Sequence, residues 1–432
     1  SGSRSTSPVV VGDIVDYEPE LPAGIETAGD GTGRTAPGTE GDGTGGRAAG
    51  GGRLMGGRVY AGGRVYTGAG RLRQADILVE GGIIRRIAPR IVGEGQERVD
   101  CAGLILAPGF IDLHAHLREP GFEEKETIAS GTALAKRSGF QTVCAMPNLN
   151  PAPDAPETAR VELEAIARGA RVDTRIYGTI TKGRAGRELA DIEGLAPLVC
   201  GYSDDGSGVQ DDALMERAMR AIARTGRYLA AHVEDASLVP KGGSVREGVA
   251  SQRFGVPGIP PESETRQLLR DLALVEKTGV HYHMCHISAG ESVEAIRAAK
   301  RRGLPVTCEV TPHQLCLCDE DIIEDSGRFK MNPPLGTRAD REALVVGVLD
   351  GTIDAIATDH APHTPAEKGR GLAGSLFGVS GFATAFAASL RYLPLSVVLR
   401  AMIDAPARIL GMGNVALREG AKAQFQALHT RP

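Results

Sequence analysis

No block of basic residues stands out in this sequence. Its 49 Lys and Arg are mixed with 54 Asp and Glu along 432 residues, for a formal net charge of -5. That distribution lacks the cationic stripe that binding a phosphate backbone requires, so nucleic acid is not expected as a partner. Also missing is any apolar run of the roughly 18 to 20 residues a bilayer span needs, as is the basic-then-apolar start of a secretory signal. A cytoplasmic protein with no membrane partner is therefore expected. The seven cysteines are an odd number without framework spacing and read as buried thiols rather than disulfides. Residues 1–52 have almost no aromatic or clustered aliphatic side chains. They cannot bury enough apolar surface to offset ordering entropy and are expected to form a disordered Gly-rich tail.

What remains is long enough for one large domain or two ordinary ones. Short strand-like pieces at 58–60, 64–67, 76–79 and 83–87, separated by Gly-rich turns, make residues 53–107 the N-terminal strands of a small β-subdomain. After Pro108 the texture becomes apolar β-rich runs alternating with helical stretches, the pattern of a parallel sheet with crossover helices. Eight such runs fall at 110–116, 142–146, 175–179, 198–203, 228–232, 280–285, 306–311 and 354–358. Eight strand–helix units over 108–411 fit an α/β (β/α)8 TIM-type barrel, although periodicity alone leaves a doubly wound open sheet in play.

In a barrel the reactive groups sit at the C-terminal ends of strands. His114 and His116 end the first run, Asp204 and Asp205 follow the fourth, His232 ends the fifth, His286 follows the sixth and Asp359 follows the eighth. In His114-Ala115-His116 the two imidazoles share one face of a strand, a spacing suited to chelation. Alone, that pair would more often be packed core histidines. With four His and two Asp at strand ends, the ligand types suit zinc or a similar divalent ion, and a carboxylate can bridge two ions. Other groups have a plainer reading. His281 and His283 are expected to be structural, and His286 reaches the site only if strand parity breaks near Cys285. His313, Cys316 and Cys318 lack a fourth ligand at standard zinc spacing, and Lys182 reads as a solvated or phosphate-facing lysine.

The run PGFIDLHAHLREPG over 108–121 resembles the signature of dihydroorotases and of their allantoinase and hydantoinase relatives. AMPNLNP around Asn148, GYSDDGSGVQ around Asp205, AAHVED around His232, MCHIS around His286, EVTPH around His313, FKMNPPL around Asn332 and IATDHAPHTPAEK around Asp359 follow in that family's order. An aspartate after the fourth strand, where hydantoinases and allantoinases carry a carbamylated lysine, is similar to bacterial class I dihydroorotases.

The resemblance implies two Zn2+ per chain, bridged by Asp205 and a hydroxide. His114, His116 and Asp359 would hold one ion, and His232 and His286 the other. It implies reversible closure of N-carbamoyl-L-aspartate to L-dihydroorotate in pyrimidine synthesis, with Asp359 as the catalytic proton shuttle. His116, Arg118, Asn148, Asn332, His363 and the Phe377-Gly378 backbone would contact the substrate, Arg118 and Asn148 holding its carboxylate. A homodimer and aspartate carbamoyltransferase are the partners it suggests. The family usually continues after Gly411 through several β-strands, whereas here runs at 415–419 and 423–428 begin that pattern within 412–432 and stop. The small β-sandwich subdomain is expected to be incomplete or patched by a partner chain. Two further readings stand beside the enzyme: a non-catalytic scaffold for aspartate carbamoyltransferase, and a hydantoinase- or allantoinase-type cyclic amidase.

Overall fold

Strands covered on both faces carry unbroken apolar runs, and the chain after Pro108 folds accordingly. The computed structural model describes residues 57–93 and 96–429. The tail expected at 1–52 lies outside the described residues.

Near the N-terminal end of the described chain lie β1 (Arg58–Tyr66), β2 (Leu72–Glu80), β3 (Ile83–Ala88), β4 (Glu97–Asp100) and β5 (Ile105–Ala107). The first three form an antiparallel meander, while β4 and β5 run parallel to β1. The two pieces expected at 58–60 and 64–67 are one strand. Its register slips between Tyr60 and Gly63, where Gly62 takes φ +76, a bulge that a residue with a Cβ would resist.

The barrel follows: β6 (Phe110–Ala115), β7 (Phe140–Ala145), β8 (Asp173–Gly178), β9 (Gly201–Tyr202) and β10 (Tyr228–Ala231). A short parallel ribbon, β11 (Val245–Arg246) with β12 (Gly258–Ile259), occupies the connection after β10. Then come β13 (Tyr282–Met284), β14 (Val306–Val310) and β15 (Ala355–Ile356), and β16 (Gln426–Leu428) returns antiparallel to β5. All eight barrel strands overlap the eight runs read in the sequence, with their ends shifted by a few residues. They lie in chain order, each parallel to its neighbours.

Sequential order decides against the doubly wound sheet, and the last strand returns to the first. His360, beyond β15, bridges in parallel to Ala115, and the His116 N–H donates to the His360 carbonyl at 2.7 Å. A second clasp is buried Asp112, which accepts from the backbone N–H of Thr358 at 2.9 Å and of His114 at 3.2 Å. Outer helices show the expected stripe. In the helix Asp212–Thr225, Asp211 caps the Leu214 N–H, Gly226 at φ 72 ends it, and Leu214, Met215, Ala218 and Ile222 face the barrel wall.

The strand expected at 415–419 is absent. Gly411, Gly413 and Gly420 all take positive φ, and Asn414 Oδ1 accepts the Ala416 N–H in a local turn, so the segment bends instead of extending. Leu417, Ala423 and Phe425 still pack on Val65, Ile77 and Ile84 of the small sheet. All seven cysteines are free, as their spacing suggested. No helix among the described residues is long and apolar enough to cross a membrane.

Candidate metal centre

Strand ends bring together His114 from β6, His116 just beyond it, Asp205 after β9, His232 after β10, His286 after β13 and Asp359 after β15. All of them are buried. The parity problem at His286 is solved locally: β13 stops at Met284, and His286 takes φ 34, turning its side chain inward. Asp359 also has positive φ, at 47. Such conformations are costly for non-glycine residues and persist where the surroundings enforce them. Of the two adjacent aspartates, Asp205 faces the histidines. Asp204 turns away to accept from the backbone N–H groups of Ile180 and Thr181 at 2.8 and 3.1 Å.

Two overlapping groups meet at Asp205. In one, His114 Nε2 and His116 Nε2 lie 3.3 and 3.1 Å from Asp359 Oδ1, and 3.5 and 3.4 Å from Asp205 Oδ1 and Oδ2 respectively. In the other, His232 Nδ1 and His286 Nε2 are 3.0 Å apart and lie 3.5 and 3.6 Å from Asp205 Oδ1. Tetrahedral coordination with bonds of about 2.0–2.2 Å separates ligand atoms by roughly 3.3–3.6 Å. The contacts of the histidines with Asp205, at 3.4–3.6 Å, match metal ligation, while His116–Asp359 and His232–His286 lie at hydrogen-bonding distance. His114 Nε2 and Asp205 Oδ1, both deeply buried, have no hydrogen-bond partner, a deficit that bound cations would remove. The residues fit divalent metal ions.

Electrostatics agree. Burial pushes Asp205 upward, but His114, His232 and His286 outweigh it and hold its carboxyl well below the usual range. Asp359 is likewise lowered by His114 and His116 against the effect of burial. Desolvation opposes protonation of His232, yet Asp205 and Glu234 raise it to about 10. The carboxylates thus draw a proton onto His232, and a divalent cation provides the same compensation while freeing the nitrogen lone pair.

Around this cluster stand the residues expected to meet a substrate. Arg118, at φ 65, is buried; its Nε donates to the Pro362 carbonyl at 3.1 Å, and its Nη2 lies 3.3 Å from His363 Nε2. Asn148 Oδ1 is 2.7 Å from His116 Nδ1, which leaves the amide nitrogen as the group to offer a ligand. Burial lowers His363 to about 4, so the ring is neutral. Its Nε2–H donates to the Phe377 carbonyl at 2.7 Å, and Lys125 donates to its Nδ1 at 3.2 Å. Gly378 has φ +136 and donates its N–H to the Lys330 carbonyl at 3.0 Å. Asn332 instead donates to Glu234 Oε2 at 3.0 Å.

Two acids were not singled out from the sequence. Glu234 lies two residues beyond His232, with Oε1 4.0 Å from His232 Nε2. Glu309 on β14 is fully buried, 2.6 Å from His114 Nδ1. Burial would raise Glu309, but His114 and His283 pull it down to about 2. The available signal was a lone carboxylate inside a buried barrel strand. His283 ties into Glu309, and His281 into Thr307. His313, Cys316 and Cys318 do not converge: Cys318 Sγ meets Asp321, and Cys316 Sγ the His313 carbonyl. Lys182 pairs with Glu188 at the surface.

A parallel barrel with a histidine and carboxylate cluster at its C-terminal face is the arrangement of a metal-dependent hydrolase. Residues 103–292 match the family model described as Dihydro-orotase-like. The dihydroorotase of Fusobacterium nucleatum is 49% identical over 73% of this chain and 74% of that one. The Bacillus cereus dihydroorotase is 44% identical over 82% of this chain and 85% of its own. The chain belongs to the dihydroorotase family. Among solved structures, the L-hydantoinase of Arthrobacter aurescens superposes with a TM-score of 0.76, covering 86% of both chains at 20% identity, a likeness of fold.

Proposed function

We propose that this chain is a dihydroorotase of the bacterial class I type, which uses two zinc ions to interconvert N-carbamoyl-L-aspartate and L-dihydroorotate. The observation that carries the reading is the pair of ligand groups sharing Asp205, with the Arg118 guanidinium beside them. His114, His116 and Asp359 would hold one ion and His232 and His286 the other, with Asp205 placed to serve both groups. Bound there, zinc would supply Lewis acidity and lower the pKa of a water.

The remaining chemistry belongs to the side chains. Arg118 forks onto the substrate carboxylate with the Asn148 amide beside it, which orients the ring amide over the cluster. His363, neutral and fixed by Lys125 and the Phe377 carbonyl, shapes the pocket together with Asn332 and the Phe377-Gly378 backbone. In hydrolysis the attacking water gives its proton to the Asp359 carboxylate. The ring C–N bond breaks, and Asp359 returns that proton to the departing nitrogen. Cyclisation runs the same transfers backwards and releases water.

In this reading 108–411 is the catalytic unit, and 53–107 with 412–432 form its small β-subdomain. A cytoplasmic homodimer that docks on aspartate carbamoyltransferase belongs to the same proposal. Its test is substrate choice. The wild-type chain should hydrolyse dihydroorotate and leave hydantoin, which lacks the carboxylate, untouched. Arg118→Ala should raise KM for dihydroorotate far more than it lowers kcat. Equal turnover of both rings would favour a general cyclic amidase instead.

A further inference from the structure

Glu309 presents both carboxylate oxygens inside the barrel to histidines. Its Oε1 lies 2.6 Å from His114 Nδ1 and its Oε2 3.0 Å from His283 Nε2. His283 Nδ1 is 2.9 Å from Thr307 Oγ1, and the same hydroxyl lies 3.0 Å from His281 Nε2. Glu309, His114 and His283 are all wholly buried, so these bonds do not compete with bulk water.

The direction of each bond follows from what each atom can do. Each carboxylate oxygen faces one ring nitrogen, and the pair is satisfied when His114 Nδ1–H and His283 Nε2–H both donate. His283 Nδ1 then accepts a hydrogen bond from the Thr307 hydroxyl, and the Thr307 oxygen accepts from His281 Nε2–H. This order leaves the His114 lone pair on Nε2, the nitrogen that faces Asp205 and Asp359 at 3.5 and 3.3 Å.

We propose that Glu309, braced by His283 and Thr307, is a positioning residue that fixes the His114 ring and tautomer so that Nε2 serves as the metal ligand. This rests on the metal reading above and adds to it the device that orders the ligand. A glutamine at 309 offers one acceptor and one donor in place of two acceptors, so it cannot satisfy both imidazole N–H groups. Loss of such an outer partner typically weakens metal binding about 10- to 100-fold.

The test compares the full chain with Glu309→Gln, His283→Gln and the control Glu162→Gln. Glu162 is a buried carboxylate on the helix Pro156–Gly169 whose oxygens have no hydrogen-bond partner, so it shares the burial but not the contact. Zinc affinity is read by chelator competition, and the visible spectrum is recorded after cobalt(II) substitution. The expected result is roughly 10- to 100-fold weaker zinc binding and a shifted cobalt band in Glu309→Gln. A smaller loss is expected in His283→Gln and none in Glu162→Gln. Wild-type affinity and spectrum in Glu309→Gln would overturn the proposal while leaving the ligand set standing. An equal loss in Glu162→Gln would overturn it too, as a general packing effect. No zinc uptake by the wild-type chain would overturn both this proposal and the functional reading. If Glu309→Gln does not fold, His283→Gln decides, and unchanged affinity there refutes the positioning role.

Discussion

Replacing Gly378 by alanine should damage substrate binding more than folding. Gly378 sits at φ +136, where a side chain is strained in any surroundings. An added Cβ would lie 2.5 Å from the Ala361 carbonyl oxygen and 2.9 Å from the Ala361 Cβ, neither of which can swing aside. The backbone at 378 is also fixed on both sides: its N–H donates to the Lys330 carbonyl at 3.0 Å, and its carbonyl accepts from Lys368 Nζ at 2.6 Å. Relief therefore means lifting the segment at the cost of two or three hydrogen bonds worth about 1 kcal/mol each. The alternative is distorting the wall behind β15, which is more costly because that wall is close-packed. The segment should yield. Lifting it carries the Phe377 carbonyl away from His363 Nε2, now 2.7 Å distant. A penalty of about 2–3 kcal/mol corresponds to a KM rise of roughly 30- to 150-fold. Steady-state assays on dihydroorotate with a parallel thermal melt would read both quantities. A Gly378→Ala variant with wild-type KM and Tm would refute the reasoning.

Asp359→Asn keeps the shape of the side chain but removes the proton acceptor, so kcat should fall by at least about 100-fold with the melt nearly unchanged; undiminished turnover would remove Asp359 from that role. The metal-free chain should lose stability as pH rises. His232 is raised from 6.5 to about 10, so its contribution is complete below pH 6.5 and fades as pH climbs through 10. Zinc should flatten that slope, because it binds the neutral ring; a metal-free melting curve rising from pH 7 to 10 would contradict the assignment.

Much of this architecture was legible because burial on two faces leaves a distinct trace. Each barrel strand is an apolar run, and His and Asp at the ends of such runs stand out. Where the trace was faint, the structure added to it or changed it. β4 and β5 are too short to show a pattern, and the ribbon of β11 with β12 hides in a long connection. The segment 415–419 has strand-like residues, but the flanking glycines bend it. At the site, His286 depended on a local break of strand parity that no periodicity states. Glu309 and Glu234 looked like ordinary acids, since their roles come from partners 195 and 98 residues away in sequence.

Metal content by elemental analysis, paired with dihydroorotate hydrolysis on the same sample purified without added zinc, tests the central claim most directly. The account predicts close to two zinc ions per chain together with turnover, both lost on chelation and restored by zinc. Metal-free, inactive protein that zinc cannot rescue would contradict it and favour the scaffold reading.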